Sequence, residues 1–89
     1  MDIFLSADIE GTCGITTWSE TERSTPNDYA PFRKQMTREV DAACKGALDA
    51  GAAGIFIKDA HDSARNLDVS ALPRQVRILR GWTGDPLSM

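Results

Sequence analysis

Residues 2–8 read Asp-Ile-Phe-Leu-Ser-Ala-Asp, a short and almost continuous apolar run that polar residues and then a glycine close. Such a run is typical of a β-strand in a parallel sheet that is covered on both faces. A second run, Gly-Ile-Phe-Ile-Lys-Asp, occupies residues 54–59, and Val-Arg-Ile-Leu-Arg at residues 76–80 is a shorter third one. We therefore expect three strands built to be buried.

The hydrophobic spacing changes between the first two runs. Over residues 29–48 apolar side chains recur every three or four positions, which is one face of an α-helix. We expect Asn27 or Asp28 as the N-cap, Pro31 in the first turn, and Gly51 as the left-handed residue that ends the helix. The basic residues of this helix are expected to form a solvated face: Arg33, Lys34, Arg38 and Lys45.

A strand, a long helix and a second strand make a βαβ unit, in which the two strands are parallel and the crossover is right-handed. The fold class is therefore α/β with a mostly parallel sheet. Three strands and one long helix leave one sheet face largely uncovered, so that Ile55, Phe56 and Ile57 cannot all be buried. We expect residues 1–89 to be a single partial domain, the N-terminal portion of a larger α/β domain truncated at its C-terminus.

Composition excludes several classes of protein. The chain is 42% hydrophobic and 26% charged with a net charge of −3, which is ordinary for a globular protein and argues against nucleic acid as a partner. No apolar stretch is long enough for a transmembrane helix or a secretory signal, so we expect no membrane partner. Two cysteines without C-x-x-C spacing are too few for a disulfide scaffold, and a cytoplasmic location is expected.

Side chains that can bind a metal follow the first two strands. Asp8 and Glu10 come after the first strand, and Asp59 and His61, the only histidine, come at the end of the second. Because neighbouring strands lie about 4.8 Å apart and ligands bind at their carboxyl ends, these four side chains should share one crevice. Carboxylates and an imidazole suit zinc, manganese or iron. Two plainer interpretations stay open, a solvated carboxylate edge and an ordinary surface histidine.

Residues 6–14, Ser-Ala-Asp-Ile-Glu-Gly-Thr-Cys-Gly, resemble the S-x-D-x-E-G-x-x-G signature that opens the D-aminopeptidases of bacterial dipeptide-transport operons, a family of dizinc metallopeptidases. Residues 36–52 are similar to that family's first helix. Asp-Ala-His-Asp at residues 59–62 resembles its N-D-S-H segment, although Lys58 stands where the family usually has Asn. Arg-Gly at residues 80–81 and Pro-Leu-Ser-Met at residues 86–89 resemble the stretch after its third strand, so the resemblance is colinear over nearly the whole chain.

The resemblance implies that Asp8, Glu10 and His61 bind zinc, with Asp8 bridging two ions. It also implies an aminopeptidase that removes the N-terminal residue of short peptides, with D-amino acids preferred, and a homo-oligomer is expected. Asp59 is expected to orient the imidazole of His61. The family's other ligands, a His and a Glu, and its further catalytic His are expected downstream of Met89. We therefore expect no catalytic residue within this chain, which should be inactive and poorly folded by itself.

Two alternatives belong to other functional classes. Residues 4–12 are also similar to the first motif of haloacid-dehalogenase-type phosphatases, in which Asp8 would be the phosphoryl-accepting nucleophile and magnesium the metal. That family gives no role to the Asp-x-His after the second strand. The other alternative is a non-catalytic acidic binding module.

Overall fold

The three apolar runs form the strands of one parallel sheet in the computed structural model, which describes residues 1–82. The strands and the long helix are, in chain order, β1 (Asp2–Ala7), α1 (Pro26–Asp49), β2 (Gly54–Asp59) and β3 (Val76–Leu79). Single 3₁₀ turns lie in the connections, at Ile9–Gly11, Trp18–Thr21 and Val69–Ala71. The expected α/β class with a parallel sheet is confirmed.

The order of the sheet is β1-β2-β3, with β2 in the centre. Asp2 lies opposite Gly54 and Ala7 lies opposite Asp59, so β1 and β2 start and end at the same level. As a result, the residues that follow Ala7 and Asp59 leave the sheet side by side. This in-register ending is what allows the two polar segments to meet.

The core lies between the sheet and α1. Alternate residues of β2 point toward the helix, and Ile55 and Ile57 are 4% and 0% exposed. The helix contributes its own apolar stripe to the same cluster, including Met36, Val40 and Cys44. Burial of this stripe agrees with the three-to-four residue spacing of the sequence.

The other face of the sheet remains open in the described residues. Phe4 and Phe56 are 58% and 40% exposed, and their rings stack with centroids 5.9 Å apart. Of the three apolar residues at the centre of β2, Phe56 is the one left outside the core, as the single covering helix requires. The stacked pair forms an apolar patch on this face.

The helix α1 starts earlier than its apolar spacing predicts. Thr25 is its N-cap instead of Asn27 or Asp28, and Pro26 occupies the first helical position, where its fixed φ favours the helix and its missing N–H costs nothing. Pro31 consequently lies in the second turn and not in the first. It cannot donate to the carbonyl of Asn27, and the helix passes through this position without that bond.

The other boundaries differ little from those expected. Gly51 adopts a φ of +93° and ends α1 as predicted, because glycine enters the left-handed region without a steric penalty. The strand β2 has the predicted bounds, whereas β1 and β3 each end one residue sooner. A bilayer-spanning helix is absent from residues 1–82, since none there has the apolar length required.

The last of the sequence motifs is covered only in part. Arg80 and Gly81 belong to the described residues, whereas the Pro-Leu-Ser-Met segment that closes at Met89 lies outside them. The expectation of a partial domain whose remaining parts follow Met89 likewise concerns chain that the structure does not describe. Both therefore stay predictions.

Because only one face of β2 is buried, we expect that truncating a side chain lowers the free energy of unfolding more on the buried face than on the open one. Ile57→Ala removes a fully buried side chain and should lower the free energy of unfolding by about 2–5 kcal/mol. Phe56→Ala removes a half-exposed ring and should cost roughly 1 kcal/mol. Urea denaturation followed by circular dichroism measures both. Equal losses for the two variants would contradict the open sheet face.

Candidate metal centre

The end of β1 presents two carboxylates. After Ala7 the chain makes the 3₁₀ turn Ile9–Gly11, and Ile9 is 0% exposed because its side chain enters the core. Asp8 and Glu10 flank this anchor, and their side chains are 57% and 39% exposed. The turn therefore fixes both carboxylates at the edge of the sheet while leaving them accessible.

The end of β2 brings the histidine to these carboxylates. The Nδ1 atom of His61 lies 2.8 Å from Oε1 of Glu10 and 3.2 Å from Oδ1 of Asp8. One ligand atom from each of the three residues lies within 4.8 Å of the other two. The His61 side chain is 12% exposed, so its ring is held mostly inside the protein. Three of the four side chains expected in one crevice thus converge.

The other ring nitrogen of His61 determines the tautomer. Nε2 lies 2.8 Å from the carbonyl oxygen of Thr21, and a carbonyl only accepts hydrogen bonds, so Nε2 carries the proton. In the neutral ring, the lone pair of Nδ1 then faces two carboxylate oxygens. That arrangement needs a cation between the three groups, either a proton on Nδ1 or a metal ion. A metal-binding histidine commonly donates its second N–H to a backbone carbonyl, so the donor set fits a metal.

Thr21 was not identified from the sequence. Its carbonyl is positioned by the turn Trp18–Thr21, in which the Thr21 hydroxyl donates to the Trp18 carbonyl at 2.8 Å. The Glu20 carboxylate accepts from the backbone N–H of Thr17 at 3.2 Å, completing a capping box. The spacing Thr-x-x-Glu is a known sequence signal for such a turn, but it does not reveal which carbonyl the turn will aim at a histidine.

The two carboxylates influence each other. The pKa of Glu10 is raised, first because its carboxyl shares a hydrogen bond with Asp8 and then because burial disfavours its charged form. The nearby His61 ring opposes this shift. Because a metal ion binds the deprotonated carboxylate, the raised pKa of Glu10 makes metal binding at this site weaken as the pH falls.

Asp59 does not occupy the position expected for it. Its side chain is fully buried, and its Oδ2 atom accepts from the backbone N–H groups of Asn66 and Leu67 at 2.6 and 2.8 Å. The side-chain amide of Asn66 donates to Oδ1 at 2.9 Å and also to the His61 carbonyl at 2.7 Å. Within residues 1–82 the Asp59 carboxylate therefore acts on the backbone of His61 through Asn66 and makes no hydrogen bond to the imidazole. A buried carboxylate needs several donors, and the loop supplies them.

Asn66 also connects this loop to α1. The Tyr29 hydroxyl donates to Oδ1 of Asn66 at 2.8 Å, and Nε of Arg33 donates to the Asn66 carbonyl at 2.7 Å. The sequence predicted that Arg33 belongs to a solvated face of α1. This prediction is wrong for Arg33, because its side chain binds the Asn66 carbonyl. The helix holds the loop from one side, and the loop in turn holds His61.

A second set of contacts holds the loop from the other side. Lys58 is 0% exposed; its Nζ atom donates to the Gly81 carbonyl at 2.6 Å and lies 4.0 Å from the centre of the Trp82 ring. The Trp82 indole N–H donates to the carbonyl of Asp62, and the Gly81 N–H donates to the carbonyl of Ala64 at 2.8 Å. Asp62 and Ala64 have φ values of +48° and +58°, which these contacts maintain. The buried ammonium group of Lys58, which stands where the resembled family usually has Asn, thus finds its hydrogen-bond acceptor in the segment after β3.

Comparison with known proteins agrees with this geometry. The family model described as D-aminopeptidase matches residues 1–89. The chain belongs to the D-aminopeptidase family. Among solved structures it is similar to the Zn-dependent D-aminopeptidase DppA from Bacillus subtilis, a self-compartmentalizing protease, with a TM-score of 0.91 and 26% sequence identity. That match covers 100% of this chain and 32% of the other, so the chain spans about a third of the length of DppA. A search of curated proteins found no match.

Family membership confirms the resemblance drawn from the sequence motifs. The four colinear segments were similar to D-aminopeptidases, and the family match extends over all of them, through Met89. The match does not favour the haloacid-dehalogenase phosphatases or a non-catalytic module. Which residues bind the metal is a separate question, for which the convergence of Asp8, Glu10 and His61 is the structural observation.

The buried contact of Tyr29 predicts an alkaline titration. Burial raises the pKa of Tyr29 above its ordinary value, so the folded chain keeps the phenolic proton at a pH where the unfolded chain loses it. Stability is therefore expected to fall as the pH rises above about 10. Tyr29 is the only tyrosine of residues 1–89, and in the protein that contains this chain the difference from Tyr29→Phe isolates its tyrosinate absorbance.

The control is the same titration in urea, where the pKa should return to about 10. Tyr29→Phe should abolish the absorbance change and, at neutral pH, cost about 1 kcal/mol because Oδ1 of Asn66 loses its donor. A folded-state pKa at or below that of the unfolded chain would contradict the buried position of the ring.

Proposed function

We propose that the protein carrying this chain is a zinc-dependent aminopeptidase that removes the N-terminal residue of short peptides, with a preference for D-amino acids. The observation that carries the proposal is the Nδ1 atom of His61, which faces Asp8 and Glu10 while the Thr21 carbonyl holds Nε2–H. Membership of the D-aminopeptidase family and the similarity to a Zn-dependent enzyme support the choice of metal and reaction.

In this proposal Asp8, Glu10 and His61 bind zinc. The two carboxylates neutralise positive charge, and the imidazole contributes a neutral nitrogen whose direction the Thr21 carbonyl sets. Asp8 is the most exposed of the three side chains, which suits a carboxylate shared between two ions. Bound zinc supplies Lewis-acid polarisation of the scissile carbonyl and activation of water near neutral pH.

We also propose that hydrolysis needs residues beyond these, downstream of Met89. Three ligand side chains converge within residues 1–82, whereas a pair of zinc ions with about four ligands each requires more, even with a bridging carboxylate. The family resemblance implies a further His, a further Glu and a catalytic His, but His61 is the only histidine here. Residues 1–89 by themselves are therefore expected to show no peptidase activity.

We propose that the protein acts in the cytoplasm as a homo-oligomer. Small peptides are the substrates, and the protein self-associates, for which the exposed stack of Phe4 and Phe56 offers one apolar contact surface. Cys13 and Cys44 are both free thiols, as is usual in a reducing cytoplasm.

Removing one carboxylate tests the metal site. In the protein that contains this chain with its remaining ligands, Asp8→Ala should abolish peptidase activity and remove both zinc ions, because the bridging group is lost. Elemental analysis of the purified protein measures the zinc. Asp49→Ala is the matched control, since it removes the same charge from the exposed end of α1. Zinc at the wild-type level in Asp8→Ala would contradict the assignment of Asp8 as a zinc ligand.

A phosphorylated substrate separates the two enzyme classes. Supplied with magnesium and an aryl phosphate, the protein should release no phosphate and form no acyl phosphate on Asp8. The physical reason is that Oδ1 of Asp8 lies 3.2 Å from Nδ1 of His61, so the carboxylate that would have to attack phosphorus is held in the proposed metal cluster. Mass spectrometry after borohydride trapping detects the modification. A trapped aspartyl phosphate at Asp8 would favour the phosphatase instead.

A further inference from the structure

A cleft of about 740 Å³ runs along α1, on a side of the helix that the metal centre does not use. One wall is a stripe of α1 between Pro26 and Asp41, about 22 Å long at the helical rise of 1.5 Å per residue. The opposite wall comes from the loop after β2 and from the residue after β3. None of the residues Asp8, Glu10 or His61 lines this cleft.

The charge of this cleft is opposite to that of the chain. Six of the ten basic residues line it, together with two acidic ones, a net of four positive charges in a chain whose total is −3. We call it the basic cleft, and its basic residues are Arg23, Arg33, Lys34, Arg38, Arg65 and Arg80.

The two acidic residues of the basic cleft are occupied elsewhere. Asp41 forms an ion pair with Lys45 at 2.9 Å, and Asp68 accepts from the backbone and the hydroxyl of Ser70 at 3.1 and 2.6 Å. Among the ion pairs of residues 1–82, none includes a basic residue of the cleft. Arg33 uses one of its five N–H donors, on the Asn66 carbonyl. No ion pair within residues 1–82 therefore neutralises the basic residues of the cleft, and the two carboxylates in its lining leave a net of four positive charges.

The composition of the cleft indicates what would neutralise them. Five of the six basic residues are arginine, whose planar guanidinium binds phosphate oxygens through two parallel hydrogen bonds. Tyr29, Ala30 and Ala71 add apolar surface to the lining, and the volume falls in the range of small-molecule sites. We propose that the basic cleft binds a small molecule carrying two or more phosphate groups. This proposal is independent of the zinc site.

Calorimetric titration of the protein with sodium tripolyphosphate tests the proposal. Lys34 and Arg38 are exposed on α1 and lie one turn apart, so the double variant Lys34→Gln/Arg38→Gln removes two positive charges with little expected effect on folding. Its affinity for tripolyphosphate should fall by about tenfold or more. The matched control is Arg74→Gln/Arg77→Gln, which removes the same charge from exposed positions outside the cleft and should change the affinity less than about twofold.

Further titrations distinguish binding in the basic cleft from other sources of the calorimetric heat. The titration is repeated in Asp8→Ala, because tripolyphosphate chelates zinc, and binding should persist in that variant. Adenosine triphosphate should bind at least as tightly as tripolyphosphate, because Tyr29, Ala30 and Ala71 add apolar surface to the lining, and a failure to bind would contradict the proposal. Absence of binding at millimolar tripolyphosphate, loss of the signal in Asp8→Ala, or an equal effect of the two double variants overturns the proposal. Citrate binding as tightly as tripolyphosphate overturns the assignment to phosphate.

Discussion

The buried carboxylate of Asp59 is the constraint on which the arrangement after β2 depends. An ionised carboxylate inside a protein is costly unless donors surround it, and three N–H groups from Asn66 and Leu67 do so here. To supply them, the chain after β2 must turn back onto the end of the strand. His61 lies within this return, so its distance from the end of β1 is fixed by a residue that, within residues 1–82, makes no hydrogen bond to its ring.

The same constraint explains why residues of α1 matter at the candidate metal centre. Asn66 is fixed by Asp59, and this leaves its side-chain oxygen for Tyr29 and its carbonyl for Arg33. Arg33 therefore has two roles, one in the loop that carries His61 and one in the lining of the basic cleft. Negative charge collects at the ends of β1 and β2 and positive charge in the basic cleft, so a small net charge conceals a strong separation of charge within the chain.

The sequence predicted those features that depend on side-chain pattern. Strand and helix positions follow from apolar spacing, and the meeting of Asp8, Glu10 and His61 follows from the parallel pairing of β1 with β2. Thr21 could not be found in this way, because it acts through a main-chain carbonyl that every residue possesses. The two partners of Asn66 on α1, Tyr29 and Arg33, lie more than thirty positions away, and no local periodicity records such a pairing.

The distance along the chain between the groups proposed to bind the metal has a consequence for biosynthesis. Asp8 and His61 are about 50 residues apart, and the Thr21 carbonyl comes from a third segment between them. A crossover connection of this kind closes late, since the loop entropy must be overcome before the strands pair. During synthesis on the ribosome, Asp8 and Glu10 emerge about 50 residues before the histidine that completes their cluster. Zinc captured at this site would mark a chain whose βαβ unit has already closed.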